Sequence, residues 1–135
     1  MRLTEGGNYL ISERDGLVIC QLWTRPDQSQ DEGAKNAEEM VSFLSTSVLG
    51  APCRGIIFDM RRGPRTFGPK TRSTMATLFA RAVRSKVQIA IITSDAATQV
   101  LQFRGLCAGS PTVTQIFDNE SAAVRWLRTQ EPSKS

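Results

Sequence analysis

A cluster of cations almost free of acids is the chemistry-bearing feature of this 135-residue sequence. Between Arg54 and Lys86 lie nine of its 17 Lys and Arg residues but one of its 13 acids, Asp59. Five of those cations, Arg61, Arg62, Arg65, Lys70 and Arg72, share one short stretch with Gly63, Gly68, Thr66 and Thr71. The chemistry they suggest is anion recognition. Guanidinium and ammonium groups supply charge and donors, and the glycines let backbone N–H groups approach a ligand closely. The opposite reading is a solvated basic surface that only aids solubility. The pattern is not a phosphate-binding Walker loop, because no Gly-Lys-Ser/Thr follows the required gap. Phe67 is the one aromatic in the loop, which disfavours a nucleic-acid surface built on stacking.

Asp59 allows two readings. Beside Arg61 and Arg62 it can act as a base or metal ligand, or it can cap the loop and pair with an arginine. The second is favoured, since no neighbouring carboxylate completes an acid–base pair and Asp95 is better placed as a helix cap. The chain has no histidine, which removes Ser–His–Asp and Cys–His catalysis in their usual forms and the commonest transition-metal ligand. Cys20, Cys53 and Cys107 match no zinc or redox spacing. Cys20 reads as a small core residue and Cys107 as partly exposed. No catalytic residue, metal site or cofactor is expected.

The elements that position the basic stretch follow from periodicity. Asn8–Glu13 and Leu17–Thr24 read as strands joined at Arg14-Asp15-Gly16, where Asp-Gly suits positive φ. Ala37, Met40, Val41, Leu44 and Val48 form the apolar stripe of a helix over about 31–49, stopped by Gly50-Ala51-Pro52. Gly55–Met60 is a strand buried on both faces. The basic loop comes next, and a helix starts at Pro69, where a missing N–H costs nothing, and runs to Ser85. Val87–Thr93 is a further inner strand. Ser94 or Asp95 is expected to cap a helix through Cys107, with Ala97, Val100, Leu101 and Phe103 inward. Thr112–Phe117 is the last strand, and Asp118 or Asn119 caps a final helix with Ala123, Trp126 and Leu127 inward. Trp23 and Trp126 are read as core residues, and Glu131–Ser135 as a fraying end.

This β-β-α-β-α-β-α-β-α order predicts one α/β domain over residues 1–135, ordered from about 8 to 130. It has a five-stranded mixed sheet, an N-terminal antiparallel hairpin and about four helices. The expected core is Tyr9, Val18, Leu22, Met40, Leu44, Ile57, Phe58, Leu78, Ile89, Ile91, Leu101, Ile116 and Leu127. No apolar run approaches the roughly 18–20 residues of a membrane span. The N-terminus lacks the apolar core of a signal peptide, so a cytoplasmic protein is expected.

The order resembles the STAS family, the anti-sigma-factor-antagonist fold, and the related SpoIIAA-like group. The resemblance rests on the opening hairpin and on the central strand Ile56-Ile57-Phe58-Asp59 with its loop leading into a helix near Pro69. The Val87–Thr93 strand and the terminal Ala122-Ala123-Val124-Arg125-Trp126-Leu127 helix carry it further. It implies a regulatory domain that binds a partner protein. In the family the helix start carries a phosphorylatable Ser or Thr, usually in a stretch like Asp-Ser-Ser-Gly. Here Phe67-Gly68-Pro69-Lys70 stands in that place, and Thr66 and Thr71 on either side are the remaining candidates for phosphorylation.

The expected function is therefore a non-enzymatic regulatory or protein-interaction domain. Its basic loop and helix start (Arg61, Arg62, Arg65, Lys70, Arg72) would meet an acidic partner or anionic ligand, with Asp59, Gly63 and Gly68 supporting the loop. The alternative is a small-ligand protein binding a lipid or nucleotide, and behind it an enzyme acting on a phosphorylated metabolite.

Overall fold

The computed structural model describes residues 1–51 and 53–129. Its frame is a single six-stranded sheet whose strands lie side by side in chain order. The strands are β1 (Arg2–Glu5), β2 (Tyr9–Arg14), β3 (Leu17–Trp23), β4 (Gly55–Arg62), β5 (Ile89–Ile92) and β6 (Thr114–Phe117). Strands β1, β2 and β3 pair antiparallel, and β3 to β6 pair parallel. The helices are α1 (Gln30–Phe43), α2 (Pro69–Ser85), α3 (Ala97–Cys107) and α4 (Glu120–Thr129).

The sheet thus has six strands, not the expected five. The added strand, β1, precedes Asn8, where order was expected to begin. With one apolar side chain, Leu3, in Arg-Leu-Thr-Glu, it carries almost no hydrophobic signal. Backbone pairing holds it: Met1 O accepts from Glu13 N at 2.8 Å, and the terminal ammonium donates to Glu13 O at 2.8 Å. The β2–β3 turn is as expected, with Asp15 at φ 54° and Gly16 at φ 83°.

The two sheet faces are covered unequally. On one, α1, α2 and α3 enclose the larger core, where Met40, Leu44, Met75, Phe79 and Phe103 meet Ile56, Phe58 and Met60. On the other, Ala123 and Leu127 of α4 lie over Leu17, Ile19, Ile57, Ala90 and Ile92. Strands β4 and β5 are apolar at successive positions because both of their faces are covered.

Helix α1 begins with a capping box. Ser29 Oγ accepts from Glu32 N at 3.2 Å, and Glu32 Oε1 accepts from Ser29 N at 3.3 Å. It passes without a break into a wider π turn over Leu44–Val48, so the expected helix over 31–49 is present with altered winding at its end. Pro52, part of the expected stop, and the tail from Glu131 to Ser135 lie outside the described residues.

Helix α3 departs most from expectation. It starts at Ala97, and its N-cap, Ala96, has no side-chain cap bond, so neither Ser94 nor Asp95 caps it. Ser94 instead faces Gln99. The buried side chains are Gln99 and Phe103, while Leu101 is 64% exposed. A polar side chain with its bonds satisfied inside has displaced the apolar stripe that periodicity assigned to the core. Ile116 is half-buried against the larger core. Trp23 and Trp126 are half-buried rather than enclosed, with Trp126 tilted against Phe117 at 5.7 Å. The other expected core residues are buried. Asn119, not Asp118, caps α4, its Oδ1 accepting from Ala122 N at 2.8 Å.

Candidate functional site

Parallel strands β3, β4 and β5 deliver their C-terminal ends, and the loops that follow them, to one edge of the sheet. Ligands of open α/β sheets bind at such edges. The basic loop leaves β4 there. It turns at once through a bond from Gly63 N to Met60 O of 2.9 Å and reaches α2 at Gly68. Gly68 is the N-cap, extended, and no side chain caps this end; Pro69 fills the first helical position. The first N–H groups of α2, at the positive end of its dipole, therefore have no side-chain acceptor among the described residues.

The loop is held from α3 by two glutamines, neither of which was read as functional from the sequence. Gln99 is 1% exposed. Its Nε2 donates to Met60 O at 2.9 Å and to Pro64 O at 3.1 Å. Its Oε1 accepts from Ser94 N at 2.8 Å and from Ser94 Oγ at 3.1 Å. One amide thus ties the loop after β4 to the loop after β5. Phe67 N donates to Gln102 Oε1, and the Phe67 ring stands edge-on to Phe103 at 5.6 Å. The signal in the sequence was faint: Gln99 lies four residues before Phe103, on the same helix face.

The structure divides the five cations. Arg61 turns back on Asp59: its Nε and Nη2 donate to the two carboxylate oxygens at 3.0 and 2.8 Å, and its backbone N donates to Oδ1 at 3.2 Å. Burial pushes the Asp59 carboxyl up, but these bonds and the charges of Arg61 and Arg62 outweigh it and hold the group below the usual range. The same pairing raises Arg61. Arg61 is therefore a charge already matched. Lys70 lies 3.9 Å from Asp31, with both side chains well exposed, a pair that adds little. Arg62, Arg65 and Arg72 are exposed and take part in none of the ion pairs among the described residues. Thr66 is exposed and Thr71 half-buried.

Behind the loop lies a cavity of about 450 Å³ between β3, the first turns of α1 and the start of α2. Thr66, Phe67, Gly68, Lys70 and Thr71 form its wall on the loop side. Sequence reading missed it because its two walls lie far apart along the chain. Cys20 is fully buried, and burial pushes its thiol up; burial also raises the half-buried Cys53 and Cys107. Among the described residues no cluster of His, Cys, Asp or Glu is placed to hold a metal, and no helix is long and apolar enough to cross a membrane.

No family model matches the chain. Two solved structures superpose on it over most of their length. The protein TM1081, determined by NMR, covers 96% of both chains with a TM-score of 0.67 at 14% identity. A serine-to-glutamate variant of RsbS from Moorella thermoacetica covers 87% of this chain and 92% of its own, with a TM-score of 0.60 at 11% identity. The fold is STAS-like. In sequence, the chain is 26% identical over 130 residues to a glutamyl-tRNA(Gln) amidotransferase subunit of Haloarcula marismortui. It spans about a fifth of the length of that curated relative. The STAS-like sheet, hairpin and helix order agree with the resemblance seen in the sequence, with β1 as an added edge strand.

Proposed function

We propose that this chain is a non-enzymatic, cytoplasmic regulatory domain that binds an acidic partner protein or anionic ligand through the loop and helix start at 61–72. One observation carries the reading: a loop rich in exposed cations is tied down by buried Gln99 beside a helix N-terminus that no side chain caps. A surface that served only solubility would not need such a tether. Arg62, Arg65 and Arg72 supply the unmatched charge, Lys70 adds to it, and Arg61 with Asp59 acts as a brace for the strand end. Phosphorylation of Thr66 or Thr71 would bring up to about two negative charges into this field and weaken an acidic partner's hold.

Each well-placed cation contributes roughly 0.3–1 kcal/mol to an anion contact, and salt screens it. Reversing Arg62, Arg65 and Arg72 together is therefore expected to weaken the partner complex by about one to two powers of ten at low salt, and less at high salt. Affinity capture from the native host, followed by titration of the isolated partner against wild type and variant, measures this. A variant that keeps full affinity at both salt concentrations, with its fold intact by circular dichroism, overturns the assignment of the surface. Turnover of a phosphorylated metabolite that is lost on Asp59→Asn would overturn the non-enzymatic reading. A second reading, a small-ligand protein, is favoured by the cavity behind the loop.

A further inference from the structure

The cavity has the size and lining of a binding site for a small molecule. Its volume of about 450 Å³ lies within the roughly 300–1,000 Å³ typical of ligand sites. Tyr9, Leu22, Ala34 and Ala37, all buried, make its floor, with Met40 and Met75 fully buried against it. Two half-buried rings, Trp23 and Phe67, stand at its sides. Polar groups sit at the rim, among them the side-chain amides of Gln28 and Gln30.

Its charge is arranged along one axis. The start of α2 (Gly68, Pro69, Lys70 and Thr71), which has no side-chain cap, lines one wall, so the positive dipole end borders the cavity. Lys70 stands at the same wall. Arg25, across the rim, already donates to Asp27 at 3.0 Å and to Gly7 O at 3.2 Å. Asp31 is the acid of the rim, and its carboxylate is 92% exposed, turned out to solvent. Among the described residues the interior offers no carboxylate, so an anion entering beside Lys70 meets donors and an apolar floor beyond them.

We propose that this cavity binds a small amphipathic anion, an apolar body carrying one carboxylate or phosphate group. The head lies at the start of α2 beside Lys70, and the body lies over Leu22 and Ala37, against Met40 and Met75. Occupation would place the ligand directly behind Thr66 and Phe67 of the partner loop, so that the ligand and the partner would share a wall. The proposal rests on the small-ligand reading and stands apart from the partner reading, because its test uses the isolated protein.

The test uses decanoate as probe, with decanol as the neutral analogue, and acetate and inorganic phosphate as heads without a body. Methyl-¹³C methionine labelling reports the site directly. Decanoate is expected to shift the Met40 and Met75 methyl signals saturably, with Met60, which does not line the cavity, as the internal control. Decanol is expected to bind more weakly, and neither acetate nor phosphate to move Met40 or Met75. Lys70→Glu, at an exposed position, is expected to weaken decanoate about three- to thirty-fold and to leave decanol unchanged. Ala37→Leu, which fills the floor, is expected to abolish binding of both; if it does not fold, Ala34→Leu replaces it. No saturable shift with decanoate overturns the proposal, and so does decanol binding as tightly as decanoate. A Met40 and Met75 response to acetate or phosphate alone, or decanoate binding unaffected by Lys70→Glu, also overturns it.

Discussion

Two side chains decide how the basic loop stands, and both act through bonds that leave little room for substitution. Gln99 is buried and uses both ends of its amide on loop backbone and on Ser94. Replacing it with Leu keeps the volume but leaves Ser94 N and Pro64 O without their Gln99 partners and takes one of two donors from Met60 O, and an unsatisfied buried polar group costs about 1–3 kcal/mol. With the other bonds lost as well, Gln99→Leu is expected to destabilise the protein by about 2–4 kcal/mol in urea denaturation. It should also raise amide exchange across residues 61–68 above the rise that lower global stability alone produces. A loop that keeps its wild-type protection relative to the β5 strand would show that the tether does not hold it.

Asp59 makes its contribution through charge, and the sign follows from its lowered carboxyl. A folded-state value below the unfolded one, near 3.9, means stability that is present above about pH 4 and lost as pH falls through the folded value. The carboxylate is mostly shielded, but its partner Arg61 is 43% exposed, which discounts the pair to about 1 kcal/mol. Asp59→Asn is therefore expected to lose about that much stability at pH 7 and little at pH 2. Paired urea midpoints at the two pH values check it, and an equal loss at both would assign the effect to packing.

At the scale of elements, α4 is seated on the sheet by a close approach at Gly55. A Cβ there would lie 2.6 Å from Leu127 Cδ2 and 3.2 Å from the backbone oxygen of Gln88. The leucine can turn aside, but the carbonyl belongs to the chain entering β5 and cannot yield as easily. Gly55→Ala is expected to cost about 1–3 kcal/mol, as overpacking in a core does, and to loosen α4 more than α2. Thermal unfolding followed by fluorescence in a Trp23→Phe background, where Trp126 alone reports on α4 against Phe117, measures both effects. A variant as stable as wild type would show that the helix rides freely over this position. Helix α2 behaves differently: it starts on the bond pattern of Gly68 and Pro69 and ends at Lys86 in the left-handed conformation, φ 57°. Its position is set by both ends, and the N-terminal end is the one turned to the cavity.

At the scale of the molecule, the three-helix face and the one-helix face share strands β4 and β5, and the edge proposed as the binding surface is the one where those strands end. Much of this arrangement was legible in the sequence. Runs such as Ile56-Ile57-Phe58 and Ile89-Ala90-Ile91-Ile92 demand cover on both faces, and helical stripes of the α1 and α2 kind demand a sheet to lie on; these are local periodicities, written residue by residue. The helix start at Pro69 and the pairing of Asp59 with a neighbouring arginine are local too, since their partners are adjacent in the chain. What is not local was not legible. Strand β1 has almost no apolar pattern and exists because the backbone of β2 offers it hydrogen bonds. Leu101 faces outward because Gln99, 39 residues from Met60, found its acceptor there. The cavity exists because α1 and the basic loop, both chosen by local rules, leave a space where they meet. Composition and periodicity determined the class of fold and the charge of the loop after β4. Which side chains are tethered, which cations are matched and where a ligand has room depend on contacts between distant segments, and only the tertiary structure decided them.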